Sequence, residues 1–413
     1  MAFDLVIRNA RVSGAAPGAP TVDIAVSAGR IAAIEAGRIG ADAPMLDAGG
    51  ALLSPGLVET HIHLDKSRIV ERCAPASHRT TRDHMRRVAA VKPGFTVQDV
   101  YTRARATLEG CILNGATHMR THVEVDPNVG LCSVEALEQL AHDYRWAIDL
   151  ELCVFAQEGL TGVPEADANL VAGLDRGARL IGGAPAYDTD PAAHIRRVFD
   201  LARDYDVDVD LHLDVGPTAE HLDVLQVCEL TERFGWGGRV AVGHGTKYSL
   251  LAPEELDRLA RRLAEAGVAL TVLPATDLFV TSRHQTHALA RGVADANALT
   301  ACGVNCSLST NNVLNPFTPF GDCSLIRVAN MYAHVVQRGN DDELAEVFEM
   351  LTRRSARLLR RDDYGIAVGN PADFVIWDAH SAAEAVATVA IPLAGFKNGR
   401  RTFTREKAVL HRP

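Results

Sequence analysis

From about Ala51 onward the chain repeats one pattern, a short apolar run followed by a helical stretch, and this repetition restricts the fold more than any other feature. Strand-length runs that alternate with helices pair in parallel, because each helix carries the chain back to the start of the next strand. The candidate strands are Leu52 to Val58, Thr117 to Val125, Ala147 to Phe155, Arg179 to Gly183, Val207 to Leu213, Arg239 to Gly243, Ala269 to Leu273 and Val304 to Leu308. Eight strands suffice to close a barrel. Helical windows at Val134 to Asp143, Ala192 to Asp204, Ala219 to Phe234, Pro253 to Ala266 and Leu344 to Leu359 supply an outer ring. The first fifty residues read differently, as short β-type runs (Leu5 to Ile7, Val22 to Val26, Ile31 to Ile34) with Gly, Ala and Pro between them. After Gly365 to Asp373 the chain returns to β-type runs, starting at Phe374-Val375-Ile376-Trp377. The predicted architecture is α/β: a (β/α)8 TIM-type barrel over residues 51–362, with a small β-sandwich domain formed by segments 1–50 and 363–413.

Composition narrows the function. Hydrophobic residues make up 47% and charged residues 23%, the balance of a soluble globular chain. The net charge of -10 is spread out, and no basic run is present to neutralise phosphates, so a small molecule is the expected partner rather than nucleic acid. No stretch reaches the ~18 apolar residues of a membrane span, and Met1 to Ile7 lacks the basic-then-apolar pattern of a leader. A cytoplasmic location is the expectation. The eight cysteines form no CxxC pair and read as packed thiols.

The chemistry gathers at strand ends. His61 and His63 stand two apart, so in a strand both imidazoles face one side and reach one ion. The carboxyl ends of barrel strands line the active site, and zinc or ferrous iron suits such a nitrogen-rich place. In Val207 to Asp214 the apolar residues take one parity, while Asp208, Asp210, His212 and Asp214 take the other, which points His212 and Asp214 to the barrel mouth. His244 ends the run Val240-Ala241-Val242-Gly243 in the same strand-end position.

These residues sit in longer blocks: Ser54-Pro55-Gly56-Leu57-Val58-Glu59-Thr60-His61-Ile62-His63-Leu64-Asp65-Lys66, Arg120-Thr121-His122-Val123, Phe155-Ala156-Gln157-Glu158-Gly159, Gly243-His244, and Asn311-Asn312-Val313 followed by Asn315 to Gly321. In that order the chain resembles the amidohydrolase superfamily, on the branch of cytosine deaminase and the N-alkylammelide aminohydrolases. The resemblance implies one divalent metal, Zn or Fe(II), held by His61, His63 and His212, with a residue after the eighth strand, here Asn311, completing the site. It implies that His244 bonds the nucleophilic water or the substrate, and that Gln157 holds the edge of a heterocycle, with His122 and Lys66 as further substrate-binding residues. A homo-oligomer is compatible with it.

Two positions depart from the family pattern. The family's His-x-x-Glu reads His212-Leu213-Asp214-Val215, so the proton-carrying glutamate is missing. The family's metal-binding aspartate reads Asn311, which offers a carbonyl oxygen but is neither an anion nor a base. Asp214 is the first candidate for a replacement base, with Asp65, Lys66, Glu124, Asp126, Asp277 and His284 as loop groups near the mouth and Asp322 as another acid near the metal. Ile181 to Pro185 has no lysine to bridge two metals, so a mononuclear site is expected. The expected function is metal-dependent hydrolysis of a C–N bond in a small nitrogen heterocycle, by deamination or cyclic amide or amidine hydrolysis. The alternatives are a different hydrolysis, of an amide or carbamate, and a non-catalytic binding protein on the same scaffold.

Overall fold

The computed structural model describes residues 3–411 except 17, 41, 77–79 and 284. Eight strands form one parallel sheet: β1 (Leu57–Ile62), β2 (Ala116–Glu124), β3 (Asp149–Ala156), β4 (Leu180–Gly183), β5 (Asp208–Leu213), β6 (Val240–His244), β7 (Val268–Val272) and β8 (Cys306–Leu308). Each pairs with its sequence neighbour, and a parallel bridge between Ile62 and Asn311 brings the two edges together. Period-2 patterning explains the layering. In β5, Val209, Leu211 and Leu213 pack into the main apolar core, while Asp210 and His212 take the opposite, inward parity. Helices cover the outside, among them α2 (Val97–Leu113) and Pro164–Asp175, while the first turn of α1 (Thr81–Ala89) lines the cavity; the apolar periodicity had singled out none of the three.

The seam between β1 and β8 is made largely by side chains. The buried Glu59 carboxylate accepts from the Thr310 backbone N–H at 2.9 Å and from the hydroxyls of Ser309 and Thr310. Ser309 Oγ in turn accepts from the N–H groups of Thr60 and His61, at 2.8 and 2.9 Å. The ladder then continues across Asn311, whose N–H donates to His61 O while its carbonyl accepts from His63 N–H, both at 2.9 Å.

A second, mostly antiparallel sheet draws strands from both ends of the chain, in the order Arg400–Thr404, Pro392–Lys397, Phe374–Trp377, Leu52–Pro55, Leu5–Val12, Val22–Ser27, Arg30–Glu35, with Met45–Asp47 beside Leu5–Val12. It forms one continuous hydrogen-bonded path. The run expected as a single barrel strand, Leu52 to Val58, is divided: Leu52–Pro55 pairs with Leu5–Val12 and Phe374–Trp377, and the barrel begins at Leu57. Gly56 is the break. A Cβ there would lie 2.2 Å from the Thr117 side chain, and its N–H leaves both sheets to bond Asp373 O at 3.1 Å. The window Leu344 to Leu359 is also divided, into Asp341–Glu349 and Arg353–Leu358. All eight cysteines are free thiols, and among the described residues no helix is long and apolar enough to cross a membrane.

Truncating Glu59 would strand several buried donors at the seam. Glu59→Ala is expected to lower unfolding stability by roughly 3 kcal/mol, measured by urea denaturation of the metal-free protein.

Candidate active site

Three imidazoles converge at the carboxyl ends of β1 and β5. The Nε2 atoms of His61 and His63 each lie 3.0 Å from Nε2 of His212. One ring nitrogen offers a single in-plane proton or lone pair, so His212 cannot satisfy both neighbours by hydrogen bonding. Two nitrogens that share a tetrahedral zinc stand about 3.3 Å apart. The cluster therefore fits a bound cation. Burial favours the neutral, lone-pair form of all three rings: the His61 pKa falls to about 3, and those of His63 and His212 lie well below the ordinary histidine value.

His122 adds a fourth ring. It stacks on His61 with centroids 3.8 Å apart, and both its nitrogens are buried without a hydrogen-bond partner. His61, His122 and His212 offer ligand atoms within 4.8 Å of one another, so His122 competes with His63 for the third ligand position. His63 makes the 3.0 Å Nε2 contact with His212 and lines the cavity. Beneath the rings, Asp210 accepts from Arg120 Nη1 at 2.9 Å and lies 3.7 Å from His61 Nδ1 and 3.5 Å from His122 Nε2. Burial opposes its charge, but His122, His61 and Arg120 hold its carboxyl well below the usual range. The inward parity of Asp210 was visible in the sequence; its pairing with Arg120 was not.

Asn311 meets the cluster from the seam. Its φ of 62° lies in the left-handed region, which asparagine tolerates better than most residues. Its Oδ1 is buried and has no hydrogen-bond partner. A buried oxygen with no partner, on a residue that lines the same cavity as His63 and His212, calls for an explanation.

His244 ends β6, beside His212, with ring centroids 5.7 Å apart. Its Nδ1 lies 2.6 Å from Asp277 Oδ1, an arrangement that places the proton on Nδ1 and leaves Nε2 as acceptor. Asp277 is itself fixed by the Leu273 N–H at 3.1 Å. Gln157 is oriented too: its Oε1 accepts from Lys66 Nζ at 3.2 Å, which turns its NH2 into the free donor. Lys66 also binds Glu124 at 2.5 Å, and Lys92 binds Glu124, Asp126 and Glu158 behind it. Burial would raise the Glu124 pKa, but Lys66 and Lys92 bring it down to about 2. Lys92 lies in a short turn between α1 and α2, with no periodic signal to mark it.

The expected replacement base is not at the site. Asp214 follows β5 with a φ of 55°, and this turn carries its carboxylate away to the Asp223 N–H at 2.8 Å and the Tyr248 hydroxyl at 2.9 Å. Strand parity placed it beside His212 only as long as the strand continued. Asp65 is likewise engaged by the N–H groups of Lys66 and Glu124, at 2.8 and 2.9 Å. Asp322 is exposed and pairs with Arg327 at 2.8 Å. His284 lies outside the described residues.

His63, His212, His244, Gln157, Lys66 and Asn311 share one cavity of about 250 Å³, into which Val215 also projects. A family model for the amidohydrolases matches residues 45–400. The chain belongs to the amidohydrolase family. Over 416 residues it is 29% identical to N-isopropylammelide isopropyl amidohydrolase of Pseudomonas sp. (strain ADP), with 96% of each chain covered. It is 26% identical over 362 residues to a pterin deaminase of Rhizobium rhizogenes, covering 86% of this chain and 82% of that one. The structure of 5-methylcytosine deaminase from Klebsiella pneumoniae superposes with a TM-score of 0.93, at 27% identity over 99% of both chains. N-isopropylammelide isopropylaminohydrolase from Burkholderia multivorans gives a TM-score of 0.83, at 27% identity over 97% of this chain and 98% of that one. This amidohydrolase thus stands on the cytosine deaminase and ammelide hydrolase branch, among hydrolases of non-peptide C–N bonds.

Asp277→Ala should free the His244 ring of this amidohydrolase. Imidazole 15N spectra are expected to pass from the Nδ1–H tautomer to a mixture, with metal content unchanged and turnover lower by about 10–100-fold.

Proposed function

We propose that the chain is a mononuclear metal-dependent hydrolase that cleaves a C–N bond in a small nitrogen heterocycle, by deamination or by hydrolysis of a ring amide or amidine. The observation that carries this reading is the pair of 3.0 Å contacts converging on His212 Nε2, with the orphaned Asn311 Oδ1 on a residue that lines the same cavity. His61, His63 and His212 would hold a zinc or ferrous ion, with Asn311 as a neutral oxygen ligand. Such an ion supplies a water of lowered pKa as the nucleophile.

The chain's own residues do the rest. Gln157 presents its NH2 to a ring carbonyl, because Lys66 occupies its oxygen. Lys66 lies 5.0 Å from the Phe317 ring and 5.7 Å from that of Phe155, which hold the ammonium at the cavity wall. No described residue lining the cavity is a carboxylic acid, so the base available to the nucleophile is His244 Nε2, backed by Asp277. A heterocycle that carries an amino or alkylamino group suits this arrangement, as do the substrates named for the ammelide hydrolases and cytosine deaminases.

One observation favours a second reaction on the same residues. Val215 is apolar and faces the cavity, so no side chain at that position can protonate a poor leaving group. Amide or carbamate hydrolysis with a better leaving group would need less help.

Protein purified without added metal is expected to hold near one zinc or iron per chain by mass spectrometry, with most of it lost in His61→Ala. Asn311→Asp, which restores an anionic ligand, should tighten metal binding by about tenfold or more. A wild-type chain that stays metal-free after reconstitution would overturn this reading. Amine or ammonia release from amino-substituted pyrimidines and triazines then tests the reaction itself.

A further inference from the structure

The chain has a formal net charge of -10, yet the described residues lining its cavity include no carboxylate. The wall carries two cations instead, Lys66 and Arg82. They differ in one respect. Lys66 is offset by Glu124 at 2.5 Å, whereas Arg82 has no ion-pair partner among the described residues.

Arg82 is nonetheless held in place. It is the second residue of α1, and its Nη2 donates to the Ala186 carbonyl at 3.0 Å. Its guanidinium lies 5.9 Å from the centre of the Tyr187 ring, and Thr81 hydrogen-bonds the same tyrosine. Together these contacts dock the first turn of α1 onto the short Pro185–Tyr187 turn that follows β4. Among the described residues no other acceptor of the Arg82 N–H donors is found. In an eight-stranded ring β4 stands opposite β8, so Arg82 and Ala186 mark the wall across from Asn311, next to Gln157 at the end of β3. A ring bound at Gln157 therefore shares its cavity with an anchored guanidinium that has no counter-ion among the described residues.

We propose that the substrate is a nitrogen heterocycle bearing a carboxylate substituent, with the ring edge at Gln157 and the carboxylate at Arg82. The ring follows from the hydrolase reading above, and the acidic substituent is the new element. A planar carboxylate matches the fork of guanidinium donors, which is why arginine rather than lysine suits the position. Arg82 is solvent-exposed, so the preference is moderate and weakens with salt.

Zinc-loaded protein is titrated calorimetrically with uracil, uracil-5-carboxylate and orotate, and with lumazine and lumazine-6-carboxylate. In the wild type at least one acid is expected to bind about fivefold or more tightly than its parent ring, and in Arg82→Gln that ratio is expected to fall to about one. Finding no acid that outbinds its parent, or a preference that survives Arg82→Gln, overturns the proposal. The hydrolase reading fails by a different result, the absence of metal-dependent amine release from amino-substituted rings, which leaves these ratios standing. If none of the rings binds, the carboxylate proposal is overturned, and the hydrolase reading stands or falls by amine release alone.

Discussion

Everything at the active site depends on how the first and last barrel strands are joined. Parallel strands at a closing seam pair by a few slanted bonds, and here β8 is only three residues long. The Glu59 carboxylate and the Ser309 hydroxyl take over where the ladder is thin, each gripping N–H groups of the other strand. Burial of that carboxylate is costly unless it is fully bonded, and the two hydroxyls and one N–H at Ser309 and Thr310 meet the requirement. Because His61, His63 and Asn311 exchange backbone hydrogen bonds directly above this grip, the closure of the barrel and the spacing of the ligand cluster are one structural event.

The strand ends show a second regularity. Asp214, His244 and Asn311, at or just after the ends of β5, β6 and β8, have φ values of 55°, 80° and 62°. A non-glycine residue in this region costs roughly 1 kcal/mol or more and persists where surrounding contacts hold it. Each contact is identifiable: Asp214 by Tyr248, His244 by Asp277, Asn311 by the seam. The turn at Asp214 removes an acid from the mouth, and the one at Asn311 brings an orphaned oxygen to it. Backbone conformation at the strand ends thus decides which of the sequence's polar residues face the cavity.

That is also where sequence reading stopped. The eight-strand repeat was legible because burial on one face imposes period 2 and burial of helix stripes imposes period 3.6, and both leave marks in composition. The inward parity of Asp210 and His212 was legible for the same reason. What could not be read was any position where the chain leaves its period. Gly56 splits one apolar run between two sheets because Thr117 occupies the space a side chain would need, a contact between residues sixty-one positions apart (117 − 56). Asp214 looked like a base because parity was carried one residue too far. Lys92 and Arg82 gave no signal, since each comes from a segment outside the strands and matters only once it has docked.

The distribution of charge around the cavity ties these points together. Acids around the barrel mouth are plentiful, but neighbours consume them: Glu124 and Asp126 are held by buried lysines, Asp65 and Asp214 by backbone N–H groups, and Asp277 by His244. With Val215 and Asn311 in the lining, the polar groups that the described residues turn to a ligand are imidazole, amide, hydroxyl and cation. Such a surface lowers the cost of placing negative charge in the cavity, whether on a nucleophilic oxygen beside His244 or on a ligand group beside Arg82. Val215 and Asn311, by bringing no carboxylate to this cavity, therefore bear on the charge that a ligand there can carry as well as on the proton carriers within reach.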